Sequence, residues 1–179
     1  MQIETHIPLL ENILSDWQAI IGPEYPGYRN HVYRMIHFCL ALHTGTDEER
    51  EKIIIAGAFH DLGIWLEKTL DYIPPSIPPA MAYLKTRHLE SWSDEIKLMI
   101  SEHHKLRAYH DGTYPLVEVF RQGDWIDFSL GMVKFGITKG FIKQVKKQFP
   151  NAGFHKFLVK IAFKWFLKHP LNPAPMMKW

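Results

Sequence analysis

Several features that would assign the chain quickly are missing from it. There is one cysteine, Cys39, inside the apolar run MIHFCLAL, so no intramolecular disulfide can form and a reducing, cytoplasmic setting is expected. No stretch approaches the ~18 uninterrupted apolar residues that a membrane span requires. The N-terminus, MQIETHIPLLENIL, carries Glu4 early and has neither a basic n-region nor a long apolar h-region, so it does not read as a signal peptide. Alternating apolar and polar residues, the mark of half-buried strands, are also missing. Acid is missing from the last part of the chain. Asp127 is the final carboxylate, and residues 128–179 hold ten lysines and no arginine. Residues 1–127 therefore carry eleven basic against nineteen acidic residues, a balance of −8, and the remainder carries +10. Such asymmetry concerns partners, not fold.

What is present is helical. At 179 residues with 46 % hydrophobic content, the chain fits one domain able to bury about 70 % of its unfolded surface. In PLLENILSDWQAII, residues 8–21, Leu10, Ile13, Leu14, Trp17, Ile20 and Ile21 recur at steps of three and four. EYPGYRN reads as a loop, and HVYRMIHFCLALH as a second helix ended by Thr44-Gly45. Thr46-Asp47-Glu48-Glu49 is a good start for a third, with acids at the positive end of the helix dipole; it runs to His60-Asp61. DYIPPSIPP, with four prolines in nine residues, is expected to be an irregular connection over a site, with MAYLKTRHL as a short helix behind it. Ser93 is expected to cap DEIKLMISEHHKL. LVEVFRQGDWIDFSLG, TKGFIKQVKKQF and FHKFLVKIAFKWFLKH complete an all-α, multi-helix single domain, with AYHDGTYP a turn.

The chemistry gathers in histidine and aspartate. The stretch AFHDLGIW, residues 58–65, closes the apolar run IIIAGAF with His60 and Asp61 side by side. Burying that carboxylate costs several kcal/mol unless its charge is compensated. His31 shares a face with Met35 and Phe38, and His60 with Ile53 and Ala56. His88 follows Leu84 and Met81 at i−4 and i−7. His103 follows Ile96, Met99 and Ile100, and His104 lies on the border of that stripe. Asp124 has Val117, Phe120 and Phe128 at i−7, i−4 and i+4. Any one inward histidine is more often an ordinary core residue bonded to backbone. Two inward aspartates with four or five histidines are not, because each carboxylate would need its own cation and no Arg or Lys shares those faces. A metal centre supplies the charge, and imidazole nitrogen with carboxylate oxygen suits iron, manganese, zinc or nickel better than calcium or magnesium.

The order His31, His60-Asp61, Asp124 resembles the HD-domain superfamily of metal-dependent phosphohydrolases over about residues 28–130, with 131–179 as a Lys-rich helical extension. RHLESWSDEIKLMISEHH is similar to the H…HH segment of subfamilies with binuclear centres. The resemblance implies His31, His60, Asp61 and Asp124 at a first metal, and His88, His103 and His104 at a second, bridged by Asp61. HDGTYP at 110–115 resembles part of the HD-GYP phosphodiesterase signature, but Lys105 stands where that group has Glu, and Thr113 interrupts its GYP. Asp127 is the alternative to Asp124.

The implied activity is hydrolysis of a small phosphate ester or diester, such as a nucleotide, by metal-activated water. One or two ions of iron or manganese, or of zinc, nickel or cobalt, would serve. Glu67 and His104 are candidates for proton transfer, and Lys105, Arg107 and Arg34 for phosphate contact. Di-iron oxygenases of the inositol oxygenase type use a similar ligand order, so oxidation is the alternative, with Tyr25 and Tyr28 near the site. A non-catalytic metal-binding module is the third reading. In the last helix Lys156, Lys160, Lys164 and Lys168 oppose an apolar face of Phe154, Phe157, Leu158, Ile161, Trp165 and Phe166. That face is expected to pack on the domain and the lysines to steer anionic substrate. Peripheral contact with a membrane is the other use of such a helix, and sequence-specific nucleic-acid binding is not expected.

Overall fold

The computed structural model describes residues 2–178. Among them are nine α-helices: α1 (Pro8–Ile21), α2 (Tyr25–Leu42), α3 (Asp47–Phe59), α4 (Gly63–Leu66), α5 (Ile73–Thr86), α6 (Ser93–Glu102), α7 (Leu116–Phe128), α8 (Lys139–Gln148) and α9 (Phe154–Lys168). Two short 3-10 turns, Gly22–Glu24 and Glu90–Trp92, join them. The one isolated bridge among the described residues, Lys105 with Lys178, does not make a sheet. The all-α expectation holds, and no helix of the described residues is long and apolar enough to cross a membrane.

Helix α2 is the axis of the bundle. It packs along α7 on one side and α3 on another, and α3 in turn meets α1 and α6. The close approach of α2 and α7 depends on Gly123, where a Cβ would collide with Cys39 Sγ and crowd the Met35 carbonyl. Helix α3 starts as its sequence requires. Thr46 Oγ1 accepts from the Glu49 N–H, and the Glu49 carboxylate accepts from the Thr46 N–H, a reciprocal cap. Its other end, Ile53 to Phe59, is buried throughout, so His60 and Asp61 emerge in the centre of the bundle.

Three elements differ from their sequence reading. EYPGYRN is not a loop: α2 begins at Tyr25, because Pro26 falls in the first turn, where no amide hydrogen is needed. DYIPPSIPP is not an irregular connection either, since Ile73 to Thr86 is a single helix containing Pro74, Pro75, Pro78 and Pro79. Pro74 and Pro75 occupy its first turn, and Pro78 and Pro79, which carry no N–H, leave the carbonyls of residues 74 and 75 without their usual helical donors. Ser76 secures the segment: its hydroxyl donates to the Tyr72 carbonyl and accepts from the Gly63 N–H. Finally, Ser93 does not cap α6. The 3-10 turn runs directly into the helix at Trp92, with no side-chain cap.

Candidate metal centre

Four helices deliver six polar side chains to one buried point. His31 comes from the middle of α2, His60 and Asp61 from the end of α3, His103 and His104 from the end of α6, and Asp124 from α7. None is more than 4 % exposed. His31 Nε2 lies 3.1 Å from His60 Nε2, 3.6 Å from Asp61 Oδ2 and 3.5 Å from Asp124 Oδ1. His60 Nε2 is 3.3 Å from Asp61 Oδ2 and 3.7 Å from Asp124 Oδ1. On the other side, Asp61 Oδ1 is 3.5 Å from His103 Nε2, and Asp124 Oδ2 is 3.8 Å from His104 Nδ1. Two groups with ion-binding spacing result: His31, His60 and Asp61, and Asp61, His103 and His104. Asp61 belongs to both, with one oxygen turned toward each.

The outward nitrogen of each imidazole fixes which nitrogen faces in. His60 Nδ1 is 2.8 Å from the Gly57 carbonyl and His103 Nδ1 is 2.7 Å from the Ile100 carbonyl. A carbonyl can only accept, so both Nδ1 atoms carry hydrogen and both Nε2 atoms point inward. His31 Nδ1 donates at 2.7 Å to Asp127 Oδ2, and the Arg34 guanidinium donates to both oxygens of the same carboxylate, to Oδ1 at 2.5 Å and to Oδ2 at 2.7 Å. His104 Nε2 meets the Tyr72 hydroxyl oxygen at 2.6 Å. That contact leaves Nδ1, 3.8 Å from Asp124 Oδ2, as the His104 nitrogen that faces the centre. Ligating imidazoles are commonly held in this way, the far N–H given to a carboxylate, a carbonyl or another acceptor.

Lone pairs therefore converge with nothing between them. Seven buried side-chain N or O atoms lack a hydrogen-bond partner among the described residues, and four are here: Asp61 Oδ1, His103 Nε2, His104 Nδ1 and Asp124 Oδ2. At about 1–3 kcal/mol each, four orphans would cost about 4–12 kcal/mol, as much as a whole domain's stability. A cation removes that cost. Ions with bonds near 2.1 Å set neighbouring ligand atoms roughly 3.0 Å apart in octahedral and 3.4 Å apart in tetrahedral arrangement. The separations observed, 3.1–3.8 Å, need only small contraction. The donor set can hold a metal ion.

The charge balance without metal is informative. Burial drives His31 down to about 4 despite Asp127, and it lowers His103 and His104 as well, so all three are neutral. Burial also opposes charge on His60, but Asp61 and Asp124 outweigh it and push it up to about 9. For Asp61, too, burial works against the charge, yet His60 and His103 hold it well below the usual carboxylate range. Burial and the neighbouring Asp61 and Asp127 push Asp124 well above it. One proton on His60 thus stands in for part of the positive charge that the site needs.

Of the residues singled out in the sequence, the structure brings together His31, His60, Asp61, His103, His104 and Asp124. It does not bring His88. Helix α5 ends at Thr86, and His88 adopts a left-handed conformation at φ 57° that turns it into solvent, although Leu84 in the preceding turn is fully buried. Glu67 is exposed beyond α4, where it cannot exchange protons with a buried centre. Lys105 is half-buried, with its ammonium 3.7 Å from Glu102. Arg34 is spent on Asp127 and on the carbonyls of Phe149 and Pro150, and Arg107 is exposed, so neither is placed for phosphate contact at the centre. The choice between the two aspartates resolves by position: Asp124 faces inward, and Asp127 stands behind His31. Tyr28, buried beside the His31 and His60 rings, donates to the Ala58 carbonyl, while Tyr25 is only half-buried.

Sequence reasoning missed Tyr72, whose position two residues before the proline cluster gave no signal. It also missed the closing segments. Phe154, at the start of α9, stacks on His31 with ring centroids 4.5 Å apart. Lys178 pairs with the backbone following His103-His104, accepting from the Leu106 N–H at 2.7 Å and reaching Glu102 with its ammonium at 2.8 Å. Comparison with protein-family models, curated proteins and solved structures finds no match to the chain.

Proposed function

We propose that the chain is a metal-dependent phosphohydrolase of the HD type, acting on a small phosphate ester or diester such as a nucleotide, with iron or manganese in the centre. The observation that carries the reading is the set of four imidazoles whose outer nitrogens are held by fixed hydrogen-bond partners while their inner nitrogens, with Asp61 and Asp124, converge. The order of these residues along the chain, which resembles the HD superfamily, supplies the reaction class. A structural histidine cluster would have its inner nitrogens hydrogen-bonded; those of His103 and His104 have no partner, and those of His31 and His60 are hydrogen-bonded only to each other, at 3.1 Å.

In this reading the bound ion lowers the pKa of its water toward neutrality and offsets charge on phosphoryl oxygens. The protein supplies the rest. The Arg34–Asp127 pair holds the His31 ring, Tyr72 orients His104, and Asp61 joins the two halves of the site. Phe128, 37 % exposed, packs edge-on against His104 at 5.5 Å. In this reading substrate approaches past Phe128, and movement of that ring precedes turnover.

The experiment is a panel of nucleotides, phosphomonoesters and cyclic diesters, assayed with Mn or Fe(II) for wild type and Asp61→Ala. The reading predicts phosphate or nucleoside release that needs metal and is lost in the variant. Turnover that instead consumes oxygen with two irons bound would establish the oxygenase alternative. Tight metal binding without turnover on any substrate would leave a non-catalytic module.

A further inference from the structure

Helix α9 presents more apolar surface to solvent than its role in the bundle explains. Its inner face is accounted for: Phe154 stacks on His31, and Phe157 stacks on Trp65 with ring centroids 5.6 Å apart. The outer face is not the polar one that the sequence pattern leads one to expect. Val159, Phe163, Phe166 and Leu167 recur at steps of three and four and are 70, 61, 46 and 65 % exposed. Leu171, just past the helix, is 99 % exposed. Beside this stripe runs a second one, Lys156, Lys160, Lys164 and Lys168, also exposed. None of these four lysines has a carboxylate within ion-pair distance among the described residues, and no acid occurs after Asp127.

We infer that the outer face of α9 docks on an anionic lipid bilayer, with Val159, Phe163, Phe166 and Leu167 entering the acyl boundary and the lysine stripe meeting lipid phosphates. Charge complementarity selects the occupant, because a surface with only cations beside its apolar stripe calls for a partner that is both anionic and apolar. Shape narrows it further. The stripe lies on the convex side of a helix, and a fluid acyl layer receives a convex apolar surface without a matching groove. Large side chains in one row with lysines alongside are the arrangement by which amphipathic helices lie in a membrane interface, the lysine stems along apolar surface and their heads at the phosphates.

The test is flotation of the full chain with vesicles of phosphatidylcholine alone and of phosphatidylcholine with phosphatidylglycerol at about three to one. The chain is expected to float with the anionic vesicles, less so as salt rises, and not with the neutral ones. Phe163→Ser/Leu167→Ser should lower the partition coefficient at least tenfold, and Lys156→Gln/Lys160→Gln roughly 25-fold, at about fivefold per lysine. Because these side chains are solvent-exposed, both variants should keep the wild-type melting temperature; the lysine pair stands as the test should the serine pair fold poorly. No flotation, equal flotation on neutral vesicles, or flotation unaffected by the lysine substitutions would overturn the inference. Self-association abolished by the serine pair, without flotation, would overturn it in favour of a second copy of the chain.

Discussion

Asp127 and Arg34 carry a prediction that separates stability from metal binding. Both are 1 % exposed, and the Arg34 guanidinium gives Asp127 two hydrogen bonds while His31 gives it a third. Asp127→Asn removes the negative charge and leaves Arg34 buried beside an amide. Breaking one partner of a buried pair costs about 3–5 kcal/mol. For a chain of this size each kcal/mol moves the melting temperature by about 2–4 °C, so the variant should melt about 6–20 °C lower in chelator. It also loosens the tautomer and tilt of His31, and loss of such a support lowers metal affinity about 10–100-fold. The double variant Arg34→Met/Asp127→Leu removes both charges and fills the space with apolar atoms. Replacement of that kind is often neutral for stability, so its melting temperature should recover while metal affinity stays low, because His31 still lacks its acceptor. Thermal melts by circular dichroism and calorimetric titration with Mn read the two quantities. If Asp127→Asn melts within about 2 °C of wild type and binds metal equally well, Asp127 is not the clamp described.

Metal binding should depend on pH through His60. Its pKa, about 9 without metal, means that the proton must leave before Nε2 can bind, so apparent affinity should rise about tenfold per pH unit up to about 9. Loading at pH 7 should release at least one proton, measurable from the buffer dependence of the binding enthalpy. The same shift fixes a stability trend in the metal-free protein. A histidine whose folded pKa exceeds its unfolded 6.5 stabilises fully below 6.5 and loses that contribution as pH rises through about 9, so melting temperature in chelator should fall over that window. Gly123→Ala should destabilise by about 1–3 kcal/mol in denaturant titration, because its methyl has no room between α7 and the Cys39 turn of α2. His88→Ala should leave metal stoichiometry unchanged by elemental analysis, since His88 points to solvent.

The sequence made the site legible where helical period decided the matter. His31 and Asp124 sit on the apolar stripes of α2 and α7, and His60-Asp61 and His103 follow directly on the last turns of α3 and α6, so the periodicity that built the core aimed them at its centre. It failed where a stripe outran its helix. His88 continues the Met81–Leu84 spacing, but the chain turns left-handed before reaching it, and periodicity has no meaning past the cap. In DYIPPSIPP the proline count masked a helical signal that was present: Ile73, Ser76, Ala80 and Leu84, all buried, recur at steps of three and four. Arg34 reads as a phosphate contact in the sequence because its partner, Asp127, lies ninety-three residues away on α7, a distance that local pattern cannot bridge. Tyr72 is of the same kind. The outer stripe of α9 was overlooked because an apolar residue in a helix is ordinarily assigned to the core, and Val159, Phe163 and Leu167 lie opposite the face that packs.

The central claim is that Asp61 is compensated by bound metal. It is tested most directly by elemental analysis of the chain purified without chelator and under low oxygen, beside Asp61→Ala prepared identically. The account predicts between one and two equivalents of a transition metal per wild-type chain and almost none in the variant, with two equivalents showing that both halves of the site are filled. A wild-type chain that holds no metal and takes up none when metal is added back would contradict it, and would leave the convergent lone pairs of His103, His104 and the two aspartates without their explanation.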